Sequence, residues 1–156
     1  MMRPRKIYDN ALPSGSSSAA AVLLWLGRLT GNSEYENLAA GMIRTVKDLM
    51  IQYPSGFGNW LCALDFYLSR PEEIAVIGAP EDPATKSLIG TINRRYLPNK
   101  IMAGWNPDET SQPPDIPLLQ DRAMIQNKPA VYICSDHVCR TPVTDPDALA
   151  TQLDQA

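Results

Sequence analysis

A run of eight consecutive apolar residues, from Ala19 to Leu26, places the strongest constraint on this chain. Three serines, residues 16–18, precede the run and offer N-cap oxygens, and Gly31 follows it as a helix stop. The pattern predicts a helix from about residue 16 to residue 29. A helix that is apolar on every face has to be buried on every side. The fold must surround this segment with protein or leave apolar surface exposed.

Two further helices are predicted before Pro71. Ser33 and Glu36 have the spacing of a capping box in front of an amphipathic stretch that ends at Pro54. A third, mostly apolar helix is expected from Phe57 to about residue 69. This order of buried, half-exposed and buried helices is typical of a concentric helical barrel. Three helices cannot close such a barrel, so we expect the helical half to expose apolar surface and to self-associate.

Strands and helices alternate after Pro71. The apolar, largely β-branched runs predict buried strands at 73–78, 100–105 and 130–134. Asp82-Pro83 and Asp145-Pro146 each place a capping residue before a proline at the first helical position. The first of these helices should turn Leu88, Ile89, Ile92 and Tyr96 inward, and a further short helix is expected over 118–125. We therefore predict an α+β fold with two domains: helical residues 1–70 and an α/β subdomain, 71–156.

Composition excludes several classes of function. The formal net charge is −3, so no basic field favours nucleic acid or an anionic membrane as a partner. No apolar run approaches the roughly 18 residues of a membrane-spanning helix. The basic N-terminus lacks the apolar region of a signal peptide, and we expect a cytoplasmic location.

Metal and cofactor chemistry receive little support. The single histidine, His137, excludes any site that needs two from one chain, and the three cysteines are an odd number for a disulfide framework. The turn 78–83 lacks both phosphate-binding glycine motifs, and its acidic Glu81 and Asp82 would repel phosphate. We therefore interpret residues 78–83 as a turn that caps the following helix, and we predict neither a metal nor a cofactor.

Cys134 and Cys139 are the candidates for redox chemistry. Their spacing is neither the C-x-x-C of thiol exchange nor one half of a four-ligand zinc site. Cys134 should end a buried strand and be inert, whereas Cys139 should lie in a loop and be the more reactive thiol. A disulfide between them is sterically feasible, but in a reducing cytoplasm we expect both thiols to be free.

Polar residues precede the buried first helix. Asp9, Asn10 and Ser14 lie where the loops of a helical barrel ring a central cavity, and Asp65 lies among aromatic residues of the third helix. These four are the candidate residues for binding a hydroxylated ligand. The alternative is that they are ordinary turn and cap residues.

Several segments together resemble one family. They are 9–17, 29–31 and 63–66 in the helical half, and 130–134, Cys139 and 142–146 in the α/β half. In this order they resemble the C-terminal end of the thioredoxin-domain-containing, YyaL-type family related to spermatogenesis-associated protein 20. Such proteins have a thioredoxin-like domain followed by an (α/α)6 toroid similar to sugar epimerases and six-hairpin glycosidases.

The resemblance implies that residues 1–70 hold the last helices of the toroid and that 71–156 match the C-terminal α/β portion. Ser16 departs from the family, which often has asparagine after Leu-Pro-Ser-Gly. We expect a truncated or stand-alone module that is not catalytic by itself. It would act by association, either as a homo-oligomer or with the missing toroid or thioredoxin-like portion. The alternatives are a fragment of a carbohydrate-active enzyme and a thiol redox or sensor module.

Overall fold

The chain divides into two units, and the first, Met1–Arg70, is helical over its described residues. The computed structural model describes residues 6–135 and 138–155. Three α-helices and a 3-10 turn, Pro54–Gly56, make up this unit, and the helices are α1 (Gly15–Thr30), α2 (Ser33–Gln52) and α3 (Gly58–Leu68). Helix α1 packs against both α2 and α3. The largest side chains buried in this unit are those of Leu24, Phe57 and Trp60.

The caps of α1 and α2 differ from the predicted ones. Ser14, and not one of residues 16–18, caps α1 by accepting a hydrogen bond from the Ser17 amide. Asn32 caps α2 by accepting from the Glu34 amide, so the capping box at Ser33 was wrong. The Glu36 carboxylate instead pairs with Arg28, with Nε and Oε1 3.2 Å apart. Gly31 ends α1 in the left-handed conformation, as predicted (φ 67°).

A four-stranded mixed sheet forms the centre of the second unit, Pro71–Ala156. Its order is β2-β1-β3-β4, with β1 and β2 parallel and the other two pairs antiparallel. The strands are β1 (Glu72–Ile77), β2 (Lys100–Trp105), β3 (Ala130–Ser135) and β4 (Val138–Cys139). The helices are α4 (Pro83–Asn93) and α5 (Pro146–Leu153), and a 3-10 turn covers Pro117–Leu119.

One face of this sheet carries both helices. Side chains from β1, β3, α4 and α5 form a single buried cluster, made of Ile74, Val76, Leu88, Ile92, Val131, Ile133, Leu149 and Leu153. Side chains alternate along a strand, so Ala75, Tyr132 and Cys134 lie on the opposite face. The turn Pro117–Leu119 contacts β1 and β2, and Leu119 is fully buried.

The α+β class and the three predicted strands are confirmed, and so are the caps of α4 and α5. Asp82 accepts from the Ala84 amide, and Asp145 accepts from the amides of Asp147 and Ala148. Two details were wrong. Tyr96 lies beyond the end of α4 and is 91% exposed, and residues 118–125 form only the end of a 3-10 turn, with Asp121 at φ 57°.

Candidate functional site

The Asp9 carboxylate joins the N-termini of two helices. Its Oδ1 accepts hydrogen bonds from the Ser14 amide (2.8 Å) and the Ser17 hydroxyl (2.6 Å) at the start of α1. Its Oδ2 accepts from the amides of Asn59 (2.9 Å) and Trp60 (3.2 Å) at the start of α3. The N-cap position of α3, Phe57, makes no side-chain cap of its own, so Asp9 caps α3 from 50 residues away.

Electrostatics favour the ionised form of this carboxylate. Asp9 is 9% exposed, and burial by itself would raise its pKa. Hydrogen bonds from Ser14, Ser17, Trp60 and Asn59 outweigh burial and hold the pKa below its ordinary value. The two helix N-termini also carry partial positive charge. The carboxylate is therefore a structural anion with both oxygens occupied.

The neighbouring chain is fixed to the same region. The Asp9 amide donates to the Gly56 carbonyl (2.8 Å), and the Trp60 indole donates to the Ile7 carbonyl (2.9 Å). The Tyr8 ring packs on Phe57 with centroids 5.1 Å apart. These contacts tie residues 7–9 to the start of α3.

Two of the four ligand candidates, Asn10 and Ser14, line a cavity of about 350 Å³ formed by the segment from Lys6 to Gly15. Asp9 belongs to the same segment but does not line the cavity, and its carboxylate accepts a hydrogen bond from the Ser14 amide. Asp65 belongs to α3 and is exposed, about 9 Å along the helix axis from Asn59 at 1.5 Å per residue. The structure thus brings Asp9 and Ser14 into contact and places Asn10 on the same cavity. Ligand binding by the four stays a prediction.

Cys134 and Cys139 form a disulfide across the β3–β4 pair, where they are directly opposite. The expectation of two free thiols was wrong, because β4 returns antiparallel to β3 and places the two residues in register. Cys134 is 3% exposed, as predicted for a buried strand end, and Cys139 is half-buried. His137 and its neighbour Asp136 lie outside the described residues.

Arg122 contacts both sulfurs. Its Nη2 lies 2.9 Å from Cys139 Sγ and 3.6 Å from Cys134 Sγ. The guanidinium carbon lies 5.0 Å from the centroid of the Tyr132 ring. Sequence reasoning missed Arg122, because the contact joins residues 12 and 17 positions apart through an irregular loop and no local pattern marks it.

Helix α1 exposes an apolar stripe, which we call its outer face. It consists of Ala19, Val22, Trp25 and Leu26. These residues recur at helical spacing on the side opposite Ser17, Ala20, Leu24 and Gly27, which are buried. Trp25 is 55% exposed and Val22 47% exposed. Apolar surface is therefore exposed on the helical unit, as predicted.

In the described part of the chain, no helix is long and apolar enough to cross a membrane. No group of three or more His, Cys, Asp or Glu side chains within those residues could hold a metal ion.

Three curated proteins that are similar in sequence to this chain carry the same name. The chain is 27% identical over 155 residues to spermatogenesis-associated protein 20 of Rattus norvegicus, and 26% identical over 155 residues to that of Mus musculus. Identity to the Homo sapiens protein is 25% over 146 residues. These alignments cover 93–99% of this chain.

The chain spans about a fifth of the length of these curated relatives. No protein-family model and no solved structure matches the chain. The resemblance predicted from the sequence is confirmed: this chain is a homologue of one segment of spermatogenesis-associated protein 20.

Proposed function

We propose that this chain is an association module that pairs through the outer face of α1, and that the isolated chain pairs there with a second copy of itself. The exposure of Trp25, with Val22 and Leu26 beside it, is the observation that carries the proposal. In the longer relatives, the rest of the polypeptide would cover the corresponding face. On this proposal the helical unit corresponds to the last helices of a six-hairpin toroid.

The energy of covering this face supports pairing. An aromatic side chain of this kind buries about 150–250 Å², so the exposed part of Trp25 is on the order of 100 Å². At about 25 cal/mol per Å², covering Trp25 alone would contribute about 2–3 kcal/mol. A two-fold axis beside α1 would bring the same stripe from two chains together, because a two-fold interface uses one patch twice. The small net charge of −3 opposes this only weakly.

Sedimentation velocity at micromolar concentration tests the proposal. The wild-type chain should sediment as a dimer or larger species, and Trp25→Glu should sediment as a monomer with an unchanged circular dichroism spectrum. Tyr96→Glu is the matched control, because Tyr96 is an aromatic residue exposed elsewhere on the chain, and it should leave association unchanged. A monomeric wild-type chain would refute self-pairing.

We also propose that the isolated chain has no glycosidase or sugar-epimerase turnover. Glycosidases need two carboxyl groups available to one glycosidic bond. Both oxygens of Asp9 are already engaged by four donors, which supports the proposal. Turnover of aryl glycosides that disappears in Asp65→Asn would overturn it. A cytoplasmic location is part of the same proposal.

A second candidate function is the binding of a small carbohydrate at the cavity of about 350 Å³. Tyr8, Asn10 and Ser14 line it, and an aromatic ring beside polar groups suits a sugar with apolar and hydroxylated faces. Calorimetric titration with mono- and disaccharides tests the idea. Binding should disappear in Asn10→Ala, and the absence of any binding at millimolar sugar would exclude it.

A further inference from the structure

The disulfide in the second unit lies beside a cation, Arg122, for which the described residues provide no anionic partner. Arg122 Nη2 is 2.9 Å from Cys139 Sγ, and Nε of the same side chain is buried without a hydrogen-bond partner. Within residues 6–135 and 138–155, no carboxylate forms an ion pair with Arg122. A neutral disulfide sulfur is only a weak acceptor. The guanidinium is thus poorly satisfied while the disulfide is closed.

The surroundings hold this guanidinium in place. It lies over the Tyr132 ring on β3, whose hydroxyl donates to the Ala123 carbonyl (2.9 Å) and accepts from the Ala123 amide (3.3 Å). The residue after Arg122 is therefore anchored to the strand that carries Cys134. The cation has little freedom to turn away from the sulfurs.

Reduction would supply the missing anion. A thiolate at Cys139 would form a charge-assisted hydrogen bond with Arg122, which is about twice as strong as a bond between neutral groups. A cation that favours the thiolate stabilises the reduced state and makes the disulfide easier to reduce. The contact with Arg122 thus favours the open form of the pair over the closed form.

We propose that Cys134 and Cys139 form a thiol–disulfide exchange site that reacts with an external dithiol, and that Arg122 stabilises the thiolate released on reduction.

Exchange with a dithiol proceeds through two displacements at sulfur. One thiolate of the dithiol attacks Cys139 Sγ, the more accessible sulfur, and the bond to Cys134 breaks with its electron pair on Cys134 Sγ. The second thiol of the reductant, as its thiolate, then attacks the mixed disulfide and releases Cys139 as a thiolate beside Arg122. The reductant becomes a disulfide and loses two protons. One of these protons ends on Cys134 and the other in solvent, while Cys139 stays a thiolate beside Arg122. The reverse reaction reoxidises the protein.

The test measures the exchange equilibrium in buffers of reduced and oxidised dithiothreitol. All proteins carry Cys62→Ser, because Cys62 is an exposed free thiol. The reduced fraction is read by maleimide labelling after an acid quench. At a pH where the Cys139 thiol is ionised in both proteins, Arg122→Met should need about a tenfold higher ratio of reduced to oxidised reagent for half-reduction, which corresponds to about one pKa unit of lost thiolate stabilisation. Arg122→Lys should recover most of the loss.

Arg140→Met is the matched control. Arg140 follows Cys139 directly, but its guanidinium contacts the Gln152 carbonyl and Glu72 instead of the sulfurs. It should leave the midpoint within about twofold, since surface charges at longer range are largely screened. An unchanged midpoint in Arg122→Met, or equal shifts in both variants, would overturn the proposal.

A measurement on the wild-type chain keeps the test decisive if Arg122→Met does not fold. The fully reduced protein is treated briefly with iodoacetamide at pH 7, and modification is quantified for each cysteine by peptide mass spectrometry. Cys139 should react several-fold faster than Cys62, although Cys62 is the more exposed residue. Slower modification of Cys139 than of Cys62 would contradict a stabilised thiolate.

Discussion

Replacing Asp9 with asparagine should destabilise the helical unit far more than loss of an ordinary helix cap. Asparagine keeps one acceptor oxygen for the two donors at the start of α1. It then turns an amide NH2 toward the backbone amides of Asn59 and Trp60, which lose their acceptor. Leaving a buried donor unsatisfied costs about 1–3 kcal/mol. Loss of charge at two helix N-termini adds about 0.3–1 kcal/mol for each helix.

The expected loss in the free energy of unfolding is therefore about 3 kcal/mol for the helical unit. Urea unfolding followed by tryptophan fluorescence measures it. A Trp105→Phe background removes the tryptophan of the second unit and leaves Trp25 and Trp60 to report on the first. Asp82→Asn is the matched control, and it is followed by circular dichroism because the second unit has no tryptophan in this background. That carboxylate caps α4 through one amide, and asparagine is an equally good N-cap, so the substitution should cost less than about 1 kcal/mol.

The pH dependence gives an independent check. The pKa of Asp9 is lowered in the folded state, so the stability that the ionised carboxylate contributes is fully present above the pKa of the unfolded state. It is lost as the pH falls through the folded pKa. The difference in stability between wild type and Asp9→Asn should stay constant from neutral pH down to about 5 and shrink below about 4. A loss below about 1 kcal/mol, or a difference that grows in acid, would refute the capping role.

Three further substitutions test the second unit by thermal and urea unfolding. Gly78→Ala should lower the free energy of unfolding by about 2 kcal/mol or more. Gly78 has φ 154°, and an added Cβ would lie 2.8 Å from Pro129 Cβ and from Thr85 Oγ1. Unchanged stability would contradict that crowding. Leu88→Ala should cost about 2–5 kcal/mol, since Leu88 is fully buried between α4 and the sheet, and a loss under 1 kcal/mol would show that the helix does not pack there. Asp145→Ala should cost about 1–2 kcal/mol through two lost amide bonds at α5, while Asp147→Ala, as the neighbouring acidic control, should cost less.

Most of the helix ends and strands could be predicted from short stretches of neighbouring residues. The caps at Asp82 and Asp145 and the stop at Gly31 depend only on neighbouring residues, and all three are observed. The prediction of Ser33 as the N-cap of α2 was wrong, because the neighbouring Asn32 is an equally good capping residue and takes that position. The inward orientation of Tyr96 failed because α4 ends at Asn93, before the helical spacing reaches it.

The candidate sites depend on contacts that the sequence does not encode locally. Asp9 was noticed as a polar residue before a helix, but its bonds to Asn59 and Trp60 join segments 50 residues apart. The two-residue strand β4 is too short to show alternation, so the register of Cys134 with Cys139 could not be predicted. Arg122 reaches the sulfurs from a loop without regular periodicity.

The strand order has a consequence for how the second unit forms during synthesis. Strand β1 lies between β2 and β3 in the sheet, but β3 begins only at Ala130. At about 5–20 residues per second, the roughly 50 residues between them take several seconds to emerge. During that interval one edge of the apolar strand β1 has no partner within its own chain, so it can pair with the same edge of another nascent chain. Chains that stall before β3 would therefore aggregate through β1, although the finished protein keeps that strand buried.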